Sequence, residues 1–148
     1  MKRPALFLLA ISLLTASCHK KIHNQQTSPM TASATFDNTR WKLVKLPGID
    51  SLPALQKDVF IRFNTSDSSF SGHAGCNNMT GRYTLDGNSL VIGPAAMTRM
   101  MCPEANMKVE NLMAKAINAT NNYLIKGERL ELRKENEVLA EFEALYLE

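Results

Sequence analysis

Two glycine-centred turns constrain this chain more than any other feature. Asp86-Gly87-Asn88 separates residues 81–85 (GRYTL) from residues 89–92 (SLVI), and Lys126-Gly127-Glu128 separates residues 123–125 from residues 129–133. Glycine takes a positive φ at little steric cost, and Asp-Gly between short apolar runs is a strong hairpin signal. A tight hairpin joins antiparallel neighbours only, so both turns commit the chain to antiparallel sheet. More short runs surround them. Residues 40–46 (RWKLVKL) alternate, with Trp41, Leu43 and Lys45 on one face, and residues 59–63, 69–74 and 95–101 read as strands. Residues 138–145 close the pattern with a second alternating run.

One segment breaks this rhythm. From Pro103 to about Thr120, the residues Val109, Leu112, Met113, Ala116 and Ile117 recur at the spacing of an amphipathic helix. Pro103 suits the first helical turn, and Glu104 suits the positive end of the helix dipole. Glu104, Lys108, Lys115 and Asn118 fall off the apolar stripe and are expected in water. Met107, Met113 and the group Met97, Met100 and Met101 read as core packing, the alternative being a soft binding surface. The expectation is an α+β fold: a curved, partly closed antiparallel β-barrel-like sheet of about seven or eight strands with one packed α-helix.

The chain has 148 residues, 45% hydrophobic and 21% charged, which fits one domain with a real core and excludes wholesale disorder. Its first residues are of another kind. Lys2 and Arg3 precede an apolar run over residues 5–14, broken only by Ser12. That run is shorter than the roughly 20 residues needed to span a bilayer, and it has the length of a signal-peptide core. Thr15, Ala16 and Ser17 are small, as a peptidase cleft requires, and Cys18 follows with a thiol for lipid attachment. The stretch resembles the lipobox of bacterial lipoproteins, with Thr15 where that pattern prefers Leu. The alternative is an ordinary secretory signal with Cys18 incidental. Residues 1–17 are thus expected to be a lipoprotein signal peptide and residues 18–35 a flexible polar tether. Residues 36–148 are expected to be the folded domain.

This division relocates the charge. The whole chain carries +3, but Lys2 and Arg3 belong to the signal and Lys20 and Lys21 to the tether, so the domain holds 13 basic and 14 acidic residues. There is no basic domain and no basic stripe interleaved with aromatics, so no nucleic-acid partner is expected. His19 and His23 lie four apart in the tether without a helical pattern or a third ligand, so no metal or other cofactor is expected.

Three cysteines are an odd number for an exported chain. With Cys18 lipidated, Cys76 and Cys102 remain, and an oxidising compartment favours a disulfide between them. Closing that loop contributes about 3 to 3.5 kcal/mol in the chain-entropy account. The alternatives are two free buried thiols, or a reactive thiol served by His73.

An ordered set of short motifs now resembles the META-domain family, whose best-known bacterial members are HslJ-type heat-inducible lipoproteins. The set is Trp41-x-Leu43-x-x-Leu46, Gly75-Cys76-Asn77, Gly81-x-Tyr83, Thr98-x-Met100-Met101-Cys102, Glu110 with Met113 and Ile117, and Tyr123-x-Ile125-x-Gly127-x-x-Leu130-x-Leu132. It covers about residues 36–146. The family often has Gly where Ala74 stands and Ala where Met101 stands; the larger Met101 would enlarge a packing position. Physically, residues 76–80 form a tight connection bracketed by Gly75 and Gly81, and Asn77 reads as a turn lock rather than a catalytic amide. The resemblance implies an envelope location and an association with heat stress or tolerance of antibiotics such as novobiocin. It implies no catalytic residues.

The function expected is a non-enzymatic envelope lipoprotein. It would be held on the periplasmic side of a membrane, the outer membrane in the first place, through Cys18, with an envelope protein as partner. One alternative is a barrel holding a small apolar ligand. The other, the weaker of the two, is a hydrolase built from His73, Asp67, Ser68, Ser69 and Ser71, residues that a Ser/Asp-rich turn explains better.

Overall fold

The computed structural model describes residues 33–146. The signal peptide, Cys18 and all but the last residues of the tether lie outside the described residues. Nine strands and one helix follow in chain order: β1 (Arg40–Lys45), β2 (Phe60–Asn64), β3 (Ser69–His73), β4 (Asn78–Asp86), β5 (Ser89–Ile92), β6 (Ala96–Met97), α1 (Glu104–Ala119), β7 (Asn122–Lys126), β8 (Arg129–Lys134) and β9 (Glu137–Leu145).

The strands pair in the order β3-β2-β1-β9-β8-β7-β5-β4-β6, and β3 also pairs with β4, which closes a ring. Every named strand pair is antiparallel. The ring is therefore an antiparallel barrel with β6 laid on the first half of β4, where Met79 pairs with Met97 and Thr80 with Ala96. Its thinnest seam lies between β5 and β7. There Ser89 pairs with Asn122, Leu90 N donates to Asn121 O, and Tyr123 N donates to Asn88 O. Both expected hairpins form, with Gly87 at φ 56° and Gly127 at φ 59°.

Alternation supplies the interior. Trp41, Leu43, Ile61, Phe63, Phe70, Leu90, Leu130, Leu132 and Phe142 all point inward and are almost fully buried. Phe36 enters from the N-terminal side, stacks on Phe63 at 4.3 Å between ring centroids, and meets Tyr83 edge-on. Ala34 is buried as well, with its N–H donating to Gly127 O. The helix covers the end of the barrel at which β1 and β3 finish. Leu112 lies against Gly48 in the β1–β2 connection, Val109 lies against Gly75 in the β3–β4 connection, and Ile117 shares a small cavity with Ala74 and Met79. Among the described residues no helix is long and apolar enough to cross a membrane.

Four local expectations need correction. Lys45 does not share the inward face with Trp41 and Leu43; the β1–β9 register slips between Leu43 and Lys45, which turns Lys45 out to Glu141 at 2.8 Å and lets Leu46 turn in. The strand expected over residues 95–101 is only Ala96–Met97, because the residues after Met97 leave the ladder to bond with Asn77 and Asn78. The β3–β4 connection is shorter than expected, since Asn78, Met79 and Thr80 already pair with β3. Finally, Met100 is 52% and Met101 96% exposed, so they are not core and Met101 enlarges no packing position, whereas Met79 and Met113 are buried.

Candidate functional site

Ten of the family-pattern residues fall into two groups. Trp41, Gly81 and Tyr83 belong to the barrel wall. Trp41 is fully buried, and its indole Nε1 donates to Phe36 O at 3.4 Å. Gly81 is not a turn residue: a Cβ there would lie 2.6 Å from a Phe70 ring carbon, so its role is to let that ring approach the strand. Tyr83 is buried, with its hydroxyl meeting no partner among the described residues.

The other seven, Gly75, Cys76, Asn77, Thr98, Met100, Cys102 and Glu110, converge on one corner. The β3–β4 connection makes it possible. Gly75 takes φ 122°, and a Cβ there would sit 3.2 Å from Val109 and 3.0 Å from Asn106 O, so glycine is needed for both the backbone angle and the approach of the helix. Asn106 Nδ2 donates to Gly75 O at 2.8 Å, and Ala74 N donates to Asn77 O at 2.9 Å, which closes the turn.

Asn77 is the centre of the corner, and only 3% of it is exposed. Its backbone N–H donates to Glu110 Oε2 at 2.6 Å, and its Nδ2 donates to Glu110 Oε1 at 3.1 Å and to Met100 O at 3.2 Å. Its Oδ1 accepts from Thr98 Oγ1 at 2.8 Å and from Met100 N at 2.7 Å. One side chain thus ties the β3–β4 connection, the segment after β6 and the helix together. The left-handed backbone that Asn tolerates is not used, because Asn77 is not among the residues with positive φ. Cys76 and Cys102 are joined, with S–S 2.07 Å and Cα–Cα 5.8 Å across 26 residues. The bond staples the same two segments that Asn77 bridges. It also removes the free-thiol readings.

Glu110 is the residue that helical periodicity does not explain. It is 8% exposed on the buried side of α1, beside Val109. Spacing marks which helix face is buried but supplies no reason for a carboxylate there; the signal was the order of the family motif. A buried carboxylate is tolerated where donors converge on it, and Asn77 provides two.

His73 and the serines do not assemble. His73 Nε2 lies 3.2 Å from Cys76 O, and its Nδ1 has no partner among the described residues. Asp67 and Ser69 sit at the opposite end of β3, about 13 Å away at strand rise. There Asp67 Oδ1 accepts from Ser69 Oγ at 2.6 Å and Ser69 N at 3.1 Å, closing the β2–β3 turn. The Ser69 hydroxyl bond holds the Asp67 carboxyl below its usual range. Among the described residues no group of three His, Cys, Asp or Glu side chains could hold a metal ion.

No curated protein matches the chain with significance. A protein from Burkholderia xenovorans, solved by NMR, is similar in fold, with a TM-score of 0.60 and 21% identity, covering 74% of this chain and 83% of that one. A second NMR structure is similar with a TM-score of 0.59 and 20% identity, covering 74% of this chain and 94% of that one. At such identities the likeness is one of fold. The META domain model matches residues 34–145, which takes in the whole barrel, the helix and the Asn77 corner. The chain belongs to the META-domain family.

Proposed function

We propose that this META-domain protein is a non-enzymatic envelope lipoprotein. Cys18 carries the lipid, and the domain acts as a binding and interaction module associated with stress or antibiotic tolerance, as in the HslJ-type proteins it resembles. The observation that carries the reading is the Cys76–Cys102 disulfide, which accounts for two of three cysteines and leaves Cys18 as the odd one. Disulfides persist in oxidising compartments, which supports an extracytoplasmic location. Cys18 directly follows a basic start, an apolar run and three small residues, the arrangement that precedes lipid attachment.

The non-enzymatic reading rests on how the corner uses its polar atoms. Both Asn77 side-chain heteroatoms and both Glu110 carboxylate oxygens are engaged with one another, with Thr98 or with Met100. Such an arrangement holds a turn against a helix; it presents no nucleophile beside a base. The packed interior, with Trp41, Phe63 and Phe142 filling it, favours a rigid module over a ligand-holding barrel.

Two measurements test this reading. The chain purified from membranes is expected to exceed its polypeptide mass by an acyl-glycerol modification, and Cys18→Ala is expected to release it from the membrane fraction; an unchanged membrane fraction removes the anchor. Cells lacking the chain are expected to be more sensitive to novobiocin, with wild type restoring tolerance and Cys18→Ala failing to. Equal tolerance with and without the chain removes the stress association.

A further inference from the structure

The outer face of the barrel carries a feature that the corner does not explain. A cleft of about 610 Å³ is lined by Arg40, Phe60, Arg62, Ser71, Asn38 and Asp37, among others. Register explains how the charges meet. Trp41 pairs with Ile61 and Lys42 with Phe60, and on the far side Arg62 pairs with Ser71, so Arg40 and Arg62 flank the β1–β2 seam on its outer face and both line the cleft. Like charges brought close on neighbouring strands are destabilising. The alternation that buries Trp41 and Ile61 requires only that residues 40 and 62 face outward, not that both be cations.

Among the described residues neither guanidinium forms an ion pair; the pairs there are Lys42–Asp58, Lys45–Glu141, Arg129–Glu143 and Arg133–Glu131. Arg40 lies with its guanidinium carbon 3.8 Å from the Phe60 ring centroid, and its Nε is buried without an acceptor among the described residues. Arg62 Nη2 donates to Asn38 Oδ1 at 3.0 Å. Both guanidinium groups are therefore positioned by groups that leave their charge intact. The one acid among the cleft residues, Asp37, is held by neutral donors, Oδ1 accepting from Thr65 N at 2.7 Å and Oδ2 from Asn38 Nδ2 at 2.8 Å, so the cleft sets two cations against one acid.

We propose that this cleft binds a phosphate group, held between the Arg40 and Arg62 guanidinium groups with the Ser71 hydroxyl as a further donor. A tetrahedral oxyanion has enough acceptor oxygens to bridge two planar guanidinium forks, and Arg is the side chain best suited to that contact. The cleft is larger than inorganic phosphate, so it has room for the organic part of a phosphate ester. A phospholipid headgroup and a soluble phosphate ester share this chemistry.

The test uses the full-length chain in a maltoside detergent and follows the Arg Nε–H NMR signals. One arm titrates inorganic phosphate at constant ionic strength. The other dopes the micelles with phosphatidylglycerol, with diacylglycerol as the phosphate-free control. Saturable shifts of the Arg40 and Arg62 signals are expected in at least one arm; a response to lipid alone assigns a headgroup, and a response to inorganic phosphate assigns a soluble source. Arg62 is exposed, so Arg62→Gln is expected to keep or slightly raise the melting temperature while weakening binding about tenfold. The proposal is overturned by silence in both arms, or by unchanged affinity in Arg62→Gln.

Discussion

The barrel interior and the Asn77 corner hold this molecule together by different physics. The interior is a set of large apolar side chains, Trp41, Phe63, Phe70 and Phe142 foremost, whose stabilisation scales with area removed from water and has little directionality. The corner is small and polar, and every side-chain heteroatom of Asn77 and Glu110 has a named partner. The interior asks of each position only size and apolarity. The corner asks for identity, because an Asn supplies both a donor and an acceptor where Leu or Asp supplies neither or one. What the difference teaches is that a short motif can be residue-specific without being reactive.

The comparison breaks most visibly in the interior. Phe142→Ala is expected to cost about 3–5 kcal/mol in urea denaturation, whereas Phe142→Leu costs much less, since volume rather than identity is what counts there. Equal losses for the two substitutions would mean that the interior is as identity-specific as the corner. Next in size is the staple. Replacing Cys76 and Cys102 together by Ser is expected to cost about 3.5 kcal/mol, read as a lower denaturation midpoint that no longer responds to reductant. A reductant-insensitive wild type would show that the bond is not formed.

Asn77→Asp is expected to cost about 2 kcal/mol, because it replaces the Nδ2 donor to Glu110 with an acceptor oxygen. Adding Glu110→Gln to that variant is expected to recover part of the loss, while Glu110→Gln alone destabilises the wild type. Purely additive losses would sever the Asn77–Glu110 link. The smallest effect is expected at Tyr83→Phe. Its hydroxyl is buried without a partner among the described residues, so removing it is expected to leave neutral-pH stability within about 0.5 kcal/mol. Burial, followed by the charges of Asp37 and Asp67, raises the Tyr83 phenol above its usual range. The unfolded chain therefore loses its proton first. The Tyr83 contribution is intact below about pH 10 and declines as pH rises through the raised folded value. Tyr83→Phe is expected to flatten that alkaline decline in a pH series of melts; an unaltered decline would place the titrating group elsewhere.

Much of the architecture was legible from local pattern. Both hairpins were readable because Gly87 and Gly127 supply the positive φ that tight turns need, and α1 was readable because five apolar residues recur at helical spacing. Lys45 misled because strict alternation assumes an unbroken ladder, and the slip after Leu43 breaks it. Met100 and Met101 misled because hydrophobicity marks a residue as fit for a core without saying that its backbone runs through one. Their segment is held outside by Asn77, and that contact spans 23 residues.

By itself, then, the order of residues determined the antiparallel strands, their turns, the helix and its wet face, because each depends on neighbours a few positions apart. Tertiary structure alone decided that the sheet closes between β5 and β7, that Glu110 is buried against Asn77, and that Arg40 and Arg62 line one cleft. Those outcomes join residues more than twenty positions apart, and local periodicity sets which face a side chain takes but not what it meets there.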